Sequence, residues 1–302
     1  MCESSITRKM NQPLLHVMIP AYGNGRYLEL TLNSAIENLE PQTLITVIED
    51  PSESSEIEKL AKKYNSRVSY LRNELRLGIA GNFNKCLKLS QATFTQICGH
   101  DDLIICDPSD ELRKIKNINE QFCGNIFSSR VLNTGDNKLK VVDSFKRFIQ
   151  PKIRPNTQID SVEFLEKLMI GYWAYFPAIL WKTDVAKQFE FNSKFESAMD
   201  LQFLVDLSIK RYEFIFSEKQ ILNYRRHSES ASSKNALVGR RFIEEMECHK
   251  RVYCFAKEKR LTKLKIQAKI ALSVRLNAAF SVLVSQESFY TKIKQLIKVA
   301  IT

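Results

Sequence analysis

Between residues 14 and 98, short apolar runs alternate with amphipathic helical patterns at a steady spacing, and no other feature constrains the fold as tightly. The runs Leu14–Pro20 (LLHVMIP), Leu44–Ile48 (LITVI), Val68–Leu71 and Phe94–Cys98 are too short for helices and rich in strand formers. Between the first two, Leu28, Leu32, Ala35, Ile36 and Leu39 share one face of a helix expected from Tyr27 to about Glu40. Ser54 and Ser55 offer caps to a second helix through Tyr64, and Asn82–Leu89 forms a third. Strand, helix, strand in this order predicts right-handed crossovers and an α/β fold with a mostly parallel central sheet flanked by helices. Ligands of such sheets bind beyond the carboxyl ends of the strands.

After residue 105 the alternation loosens. Pro108–Phe122 is expected as a helix, Asn125–Val131 as a strand, and Ser161 as the cap of a helix to Ile170. Tyr172 and Trp173 open an aromatic stretch that reaches Trp181. Asp200–Ile209 is helical, with Leu201, Leu204, Val205 and Ile209 on one face, and Glu213–Ser217 and Ile221–Tyr224 are closing strands. Residues 239–302 are expected to form two or three basic helices. Three units follow from this division: 1–105, 106–230 and a basic extension over 231–302.

Charge separates the third unit from the others. Residues 231–302 carry fifteen Lys and Arg against five Glu, whereas the whole chain of 302 residues has a formal net charge of +11. A near-neutral body with a cationic extension points to an anionic surface, and the extension is expected to meet membrane or to pack on the body. Nucleic acid is not expected as a partner, because the charge lies outside the sheet and no aromatic or zinc pattern accompanies it. No apolar run reaches the length of a membrane span, and Met1–Asn11 has no apolar signal region, so a cytoplasmic location is expected. Seven Cys with no C-x-x-C spacing are expected as free thiols in a reducing compartment.

The strand ends hold the polar groups. The first run ends in Pro20-Ala21-Tyr22, the second in Glu49-Asp50 and the fourth in His100-Asp101-Asp102. The first loop lacks the third glycine of a dinucleotide fingerprint, since Leu28 stands in its place, and no P-loop lysine motif occurs. A dehydrogenase and a P-loop NTPase are both excluded on these grounds.

Six segments in sequence order resemble glycosyltransferase family 2, whose members have the GT-A fold: HVMIPAY, VIEDPSES, LRNELRLGIAGNFNKCL, FTQICGHDDLI, MDLQFLVDL and LNYRRH. The resemblance covers about residues 14–230. It implies transfer of a sugar from a nucleoside diphosphate, a UDP- or dTDP-sugar, to a hydroxyl of a glycan acceptor with inversion. A lipid-linked acceptor of the undecaprenyl-diphosphate kind, as in polysaccharide or O-antigen assembly at the inner face of the plasma membrane, would suit the basic extension.

Such a reaction needs a general base for the attacking hydroxyl and, for the diphosphate, a divalent cation, Mn²⁺ or Mg²⁺, held by carboxylates. The resemblance puts Asp102 on the metal and Asp101 near the ribose or the metal, with His227 completing the metal shell or binding phosphate. Gly99 stands where the family has the first Asp of its D-x-D motif. Glu49 and Asp50 would take the base or ribose, Tyr22 would stack on the base, and Pro20 and Ala21 would shape its loop. Asn82 and Asn84 are either helix caps or nucleotide contacts, and Arg225 suits a diphosphate. Asp200, at the head of its helix, matches the base, with Glu196 as the fallback. The competing expectations are a binding module for anionic surfaces or nucleic acid, and a transferase that has lost its chemistry and only binds.

The C-terminal segment Lys292–Thr302 carries a regular stripe. Ile293, Leu296, Ile297, Ala300 and Ile301 share a helical face, with Lys292, Lys294 and Lys298 off it. A basic amphipathic helix of this kind lies in a membrane interface or packs with its charged side solvated.

Overall fold

The computed structural model describes residues 12–133, 156–226 and 240–284. Strands β1 (Leu15–Ala21), β2 (Leu44–Glu49), β3 (Ser69–Arg72) and β4 (Phe94–Ile97) are joined by helices α1 (Leu28–Asn38), α2 (Glu56–Lys63) and α3 (Gly78–Leu89). All three strand contacts among them are parallel, β1 with β2, β1 with β4 and β2 with β3, as the crossover pattern predicts. Beyond them lie β5 (Leu103–Ile104), α4 (Ser109–Ile115), β6 (Phe122–Asn133) and β7 (Thr157–Ile159). These are followed by α5 (Ser161–Ile170), a 3₁₀ turn (Phe176–Ala178), β8 (Ile179–Lys182) and α6 (Thr183–Ala186). The last described elements are α7 (Met199–Ile209), β9 (Glu213–Arg226), α8 (Arg240–Glu258), α9 (Thr262–Ile270) and α10 (Leu272–Val284).

One sheet runs through the molecule in the order β3-β2-β1-β4-β8-β6-β9-β5, with β7 on β9. The antiparallel contacts are short, while β6 and β9 form a long parallel ladder with register shifts at Phe122/Gly124 and around Ser128. Both faces of the sheet are covered, which is why its strands are nearly continuous in apolar residues. Along β1, Leu15, Val17 and Ile19 point into a core shared with α1, α2 and α4, and Met18 points into a core shared with α3, α5, α7, α8 and α9. His16 sits among these residues with its Nε2 2.8 Å from the Thr46 hydroxyl, and its Nδ1 accepts from the Gln91 amide at 3.2 Å. Burial, with Lys187 nearby, lowers its pKa to about 4.

Several boundaries differ from the sequence reading for identifiable reasons. Helix α4 stops at Ile115, and the Phe122 amide turns back onto the Asn119 carbonyl at 3.2 Å to open β6. The two expected closing strands are one, because β9 continues through the polar Glu218–Gln220. Asp160, not Ser161, caps α5, accepting from the Val162 and Glu163 amides. Helix α3 begins at Gly78, whose φ of +72° favours glycine, so Asn82 and Asn84 lie inside the helix and cap nothing. In the basic extension, helices α8, α9 and α10 are present as expected, while Lys292–Thr302 lies outside the described residues. Among the described residues no helix is long and apolar enough to cross a membrane. The six described cysteines are free, and four of them are buried.

Candidate active site

The parallel half of the sheet brings three loops to one edge. The Asp50 amide donates to the Ala21 carbonyl at 2.9 Å and the Asn73 amide to the Glu49 carbonyl at 2.8 Å, so the ends of β1, β2 and β3 are tied together. Asp50 is buried and accepts from Asn73 Nδ2 at 2.6 Å and from the Leu77 and Gly78 amides at 3.2 and 2.8 Å. Its carboxylate therefore shapes the loop that leads into α3. Glu49 points to the other side, where the Tyr70 hydroxyl donates to its Oε2, while its buried Oε1 has no hydrogen-bond partner among the described residues. Burial and this carboxylate raise the Tyr70 pKa. Pro20 and Ala21 close β1 inside the sheet. Tyr22, beyond them, is exposed, with the Arg76 guanidinium 4.3 Å from its ring centroid. Arg76 escaped the sequence reading because a lone Arg in a polar loop carries no signal.

The two asparagines of α3 serve the frame. Asn82 Nδ2 donates to the Ile48 carbonyl at 3.1 Å and its Oδ1 accepts from Asn73 at 3.3 Å. Asn84 exchanges two bonds with the Phe191 backbone, at 2.8 and 2.9 Å, and pins the loop before α7.

Beyond β4 the chain turns at Gly99, and the two acids of the His100-Asp101-Asp102 run close over it. A Cβ on Gly99 would stand 2.6 Å from Asp101 Oδ1 and 2.8 Å from Asp102 Oδ2. The position needs a hydrogen there, which is a physical reason for glycine where a larger residue would divide the carboxylates. Asp102 is buried, and its Oδ1 accepts from the Arg225 amide at 2.9 Å. Its Oδ2 has no hydrogen-bond partner among the described residues. Burial first, and the Asp101 charge second, hold the Asp102 pKa well above the usual carboxylate range. A buried carboxylate raised by burial and a like charge, with an unpaired oxygen bordering the same space as its neighbour's, fits a cation. The set is sparse: no group of three His, Cys, Asp or Glu suited to a metal occurs among the described residues, and His227 lies outside them.

Arg225 connects these acids to the rest of the edge. Its Nε donates to the Asp101 carbonyl at 2.9 Å and its guanidinium stands 4.5 Å from the Tyr27 ring centroid. Thr31 of α1 donates to the Asp102 carbonyl at 2.8 Å. Backbone and side chain of the acidic turn are thus held by both α1 and β9.

Asp200 stands in the first turn of α7, and its Oδ1 accepts from the Leu201 amide at 2.8 Å. Burial raises its pKa, against the pull of the Tyr172 hydroxyl, the Leu201 amide and the Arg241 guanidinium, and Glu245 adds to the rise. A carboxylate so placed can accept a proton from a hydroxyl brought beside it. Glu196, the alternative, pairs with Arg240 at 2.8 Å, outside this environment.

The comparisons agree with this architecture. A family model described as glycosyl transferase family 2 matches residues 16–169. An uncharacterized glycosyltransferase of Methanocaldococcus jannaschii is 23% identical over 225 residues, 72% of each chain. An uncharacterized protein of Mycobacterium tuberculosis is 34% identical over 94 residues, which span 31% of this chain and 30% of that one. Among solved structures, the mannosyltransferase PcManGT of Pyrobaculum calidifontis, in complex with GDP-Man and Mn²⁺, superposes with a TM-score of 0.57 at 13% identity. That match covers 96% of this chain and 86% of that one. S. aureus TarS 1–349 in complex with UDP-GlcNAc gives 0.53 at 14% identity, covering 95% and 71%. This chain covers 43% of the longer TarS structure. With a mostly parallel sheet of the GT-A type, and with the family model matching just over half of its 302 residues, the chain belongs to glycosyl transferase family 2.

Proposed function

We propose that the protein is an inverting glycosyltransferase that moves a sugar from a UDP- or dTDP-sugar to a hydroxyl of a glycan acceptor. The observation that carries this reading is the pair of acids over Gly99, where the buried Asp102 Oδ2, which has no hydrogen-bond partner among the described residues, and Asp101 Oδ1 border the same space. Asp102 and Asp101 would hold Mn²⁺ or Mg²⁺, with His227 as a further ligand or a phosphate contact, and the cation would neutralise charge on the leaving diphosphate. Arg225 supplies a fixed positive charge at the same edge. Glu49 and Asp50, with Tyr22 over the loop of Pro20 and Ala21, would form the wall for the base and ribose; Asn82 holds that wall through Asn73 and the Ile48 carbonyl, and Asn84 pins the loop before α7. Asp200 takes the proton of the acceptor hydroxyl as its oxygen bonds to the anomeric carbon and the bond to the diphosphate oxygen breaks. A single displacement of this kind inverts the anomeric configuration.

The donor half is residues 1–105, the acceptor and base half 106–230, and the basic extension 231–302 serves an anionic membrane surface at which a lipid-linked glycan is presented. The acceptor is a lipid-linked glycan of the undecaprenyl-diphosphate type, met in the cytoplasm at the inner face of the membrane. The solved relatives with bound UDP, UDP-GlcNAc and GDP-Man support a nucleotide donor.

Calorimetric titration of UDP, dTDP and GDP with and without Mn²⁺, on the wild type and on Asp102→Ala, tests the reading. Metal-strengthened binding of UDP or dTDP that Asp102→Ala weakens by about tenfold or more is expected. Failure of all three nucleotides to bind would overturn it.

A further inference from the structure

Helix α8 lies outside residues 16–169 that the family model matches, yet it supplies charged side chains to the surroundings of the proposed base. Helix α7 begins after Ala198, a residue without a side-chain acceptor, so the amides leading into its first turn have no local cap. Glu244 of α8 replaces it. Its Oε1 accepts from the Glu196 amide at 2.9 Å, and its Oε2 from the Ser197 and Ala198 amides at 2.7 and 2.9 Å. Glu244 is buried, so these three amides are its compensation for leaving water, together with Arg240 at 3.4 Å. The carboxylate also sits at the positive end of the α7 dipole.

One position on, the Arg241 guanidinium pairs with Glu245 at 2.7 Å. Both line a small cavity of about 20 Å³ with Tyr172 and with Leu201, the residue after Asp200. That is room for one water. The C-terminal half of α8 is fastened to α7 as well, by the ion pair of Arg251 with Asp206. Helix α8 therefore runs along α7 with polar ties at both ends, and the tie at the active end is to the backbone.

We propose that α8 is part of the catalytic apparatus, with Glu244 as the positioning residue that fixes the loop carrying Asp200 and Arg241 as the counter-charge to Asp200. This rests on the reading of Asp200 as the base. Tyr172 from the segment after α5 and Arg241 and Glu245 from α8 line the cavity beside Leu201, next to Asp200 in the chain; the Arg241 charge favours the ionised Asp200 carboxylate and the Glu245 charge opposes it. Glu244→Gln keeps one acceptor oxygen and loses the charge, so the amides of residues 196–198 lose their shared anion. Arg241→Gln removes the counter-charge and shortens the side chain by two atoms, and Arg241→Lys keeps the charge as the control.

The test uses the full chain labelled with ¹³C at aspartate carboxylates and ¹⁵N at amides, and follows the Asp200 titration directly. The Asp200 signal is identified by its absence in Asp200→Asn. Arg241→Gln is expected to move the midpoint upward by about half a unit or more, and Arg241→Lys to restore most of it. In Glu244→Gln the amide signals of Glu196, Ser197 and Ala198 are expected to shift. UDP affinity is expected to stay within about twofold, while UDP release from UDP-GlcNAc, or from whichever nucleotide sugar turns over, falls about tenfold. An unmoved Asp200 midpoint in Arg241→Gln, with unmoved amides in Glu244→Gln, would overturn the inference. Because the titration and the amide shifts need no donor, they stand or fall separately from the nucleotide-binding experiment. Should Arg241→Gln fold poorly, Glu245→Gln gives the opposite displacement, a lower Asp200 midpoint, with the guanidinium retained.

Discussion

Two carboxylates, the buried Asp102 and the partly buried Asp200, both have a pKa raised by loss of solvent but are held in different ways. Asp102 sits where a parallel strand ends. Its neighbour Asp101 is adjacent in sequence, and the groups that fix it, Thr31 and Arg225, belong to elements packed directly against that edge. Asp200 sits at the start of a helix whose own cap is missing, and the loop before it is completed by Glu244 from a helix that follows the sheet. The first site is a property of the fold, because any chain forming these strands brings its strand-end acids together. The second is assembled from outside the sheet, and its quality depends on how a C-terminal helix is seated.

The largest expected effect separates the two acids by chemistry. If Asp200 is the base, as proposed, Asp200→Asn should lower turnover by about a thousandfold while leaving UDP affinity nearly unchanged, because the change lies away from the proposed nucleotide site. In the wild type, the acid limb of the pH–rate profile should lie above the ordinary carboxylate range, since burial raises the Asp200 pKa and activity needs the ionised form. A mutant with wild-type turnover would dissolve the distinction between the sites.

Gly99→Ala is a smaller and more local change. The new methyl would enter the gap at 2.6 and 2.8 Å from the two carboxylate oxygens, which must part to admit it. Mn²⁺-dependent UDP binding should weaken by about tenfold, with thermal stability of the fold little altered. Unchanged metal dependence would show that the cation does not use the space over Gly99.

A third effect concerns stability alone, at His16 of β1. Free in the unfolded chain, His16 takes a proton near its ordinary value of 6.5, but in the folded protein it resists until about pH 4. Its stabilising contribution is complete above pH 6.5 and is lost as pH falls toward 4, by up to roughly 3 kcal/mol. Denaturant unfolding of His16→Gln across this window should show a flatter acid loss than the wild type. Equal slopes would mean that other groups dominate the acid sensitivity.

The same contrast explains what could be read from the sequence. Strand runs, their order and the acids at their ends are local signals, so the sheet edge with Glu49, Asp50, Asp101 and Asp102 was legible. Helix α3 was drawn too short because Gly78 and Gly81 are poor helix formers, and packing of Ala80, Asn82 and Cys86 overrides that preference. Helix α4 ends before the expected Phe122 because, although Ile115, Ile118 and Phe122 keep a helical spacing and all pack on the core, Phe122 is taken up as the first residue of β6. The role of Glu244 was invisible, since its three amides lie 46 to 48 residues earlier and no spacing rule links them. Asn82 and Asn84 were noticed for the right segment, but their bonds to Ile48 and Phe191 are tertiary and appear only in the folded chain.

The trans cap on α7 also sets an order of events during synthesis. Chains grow from the N-terminus, and domains begin to fold as they emerge. The sheet edge with its acids can close once β9 is made, at Arg226, but the amides of residues 196–198 must wait until Glu244 has been added and α8 has docked. The sheet edge with Asp101 and Asp102 therefore matures before the loop ahead of Asp200, and a chain stopped in between would hold the first formed and the second unfinished.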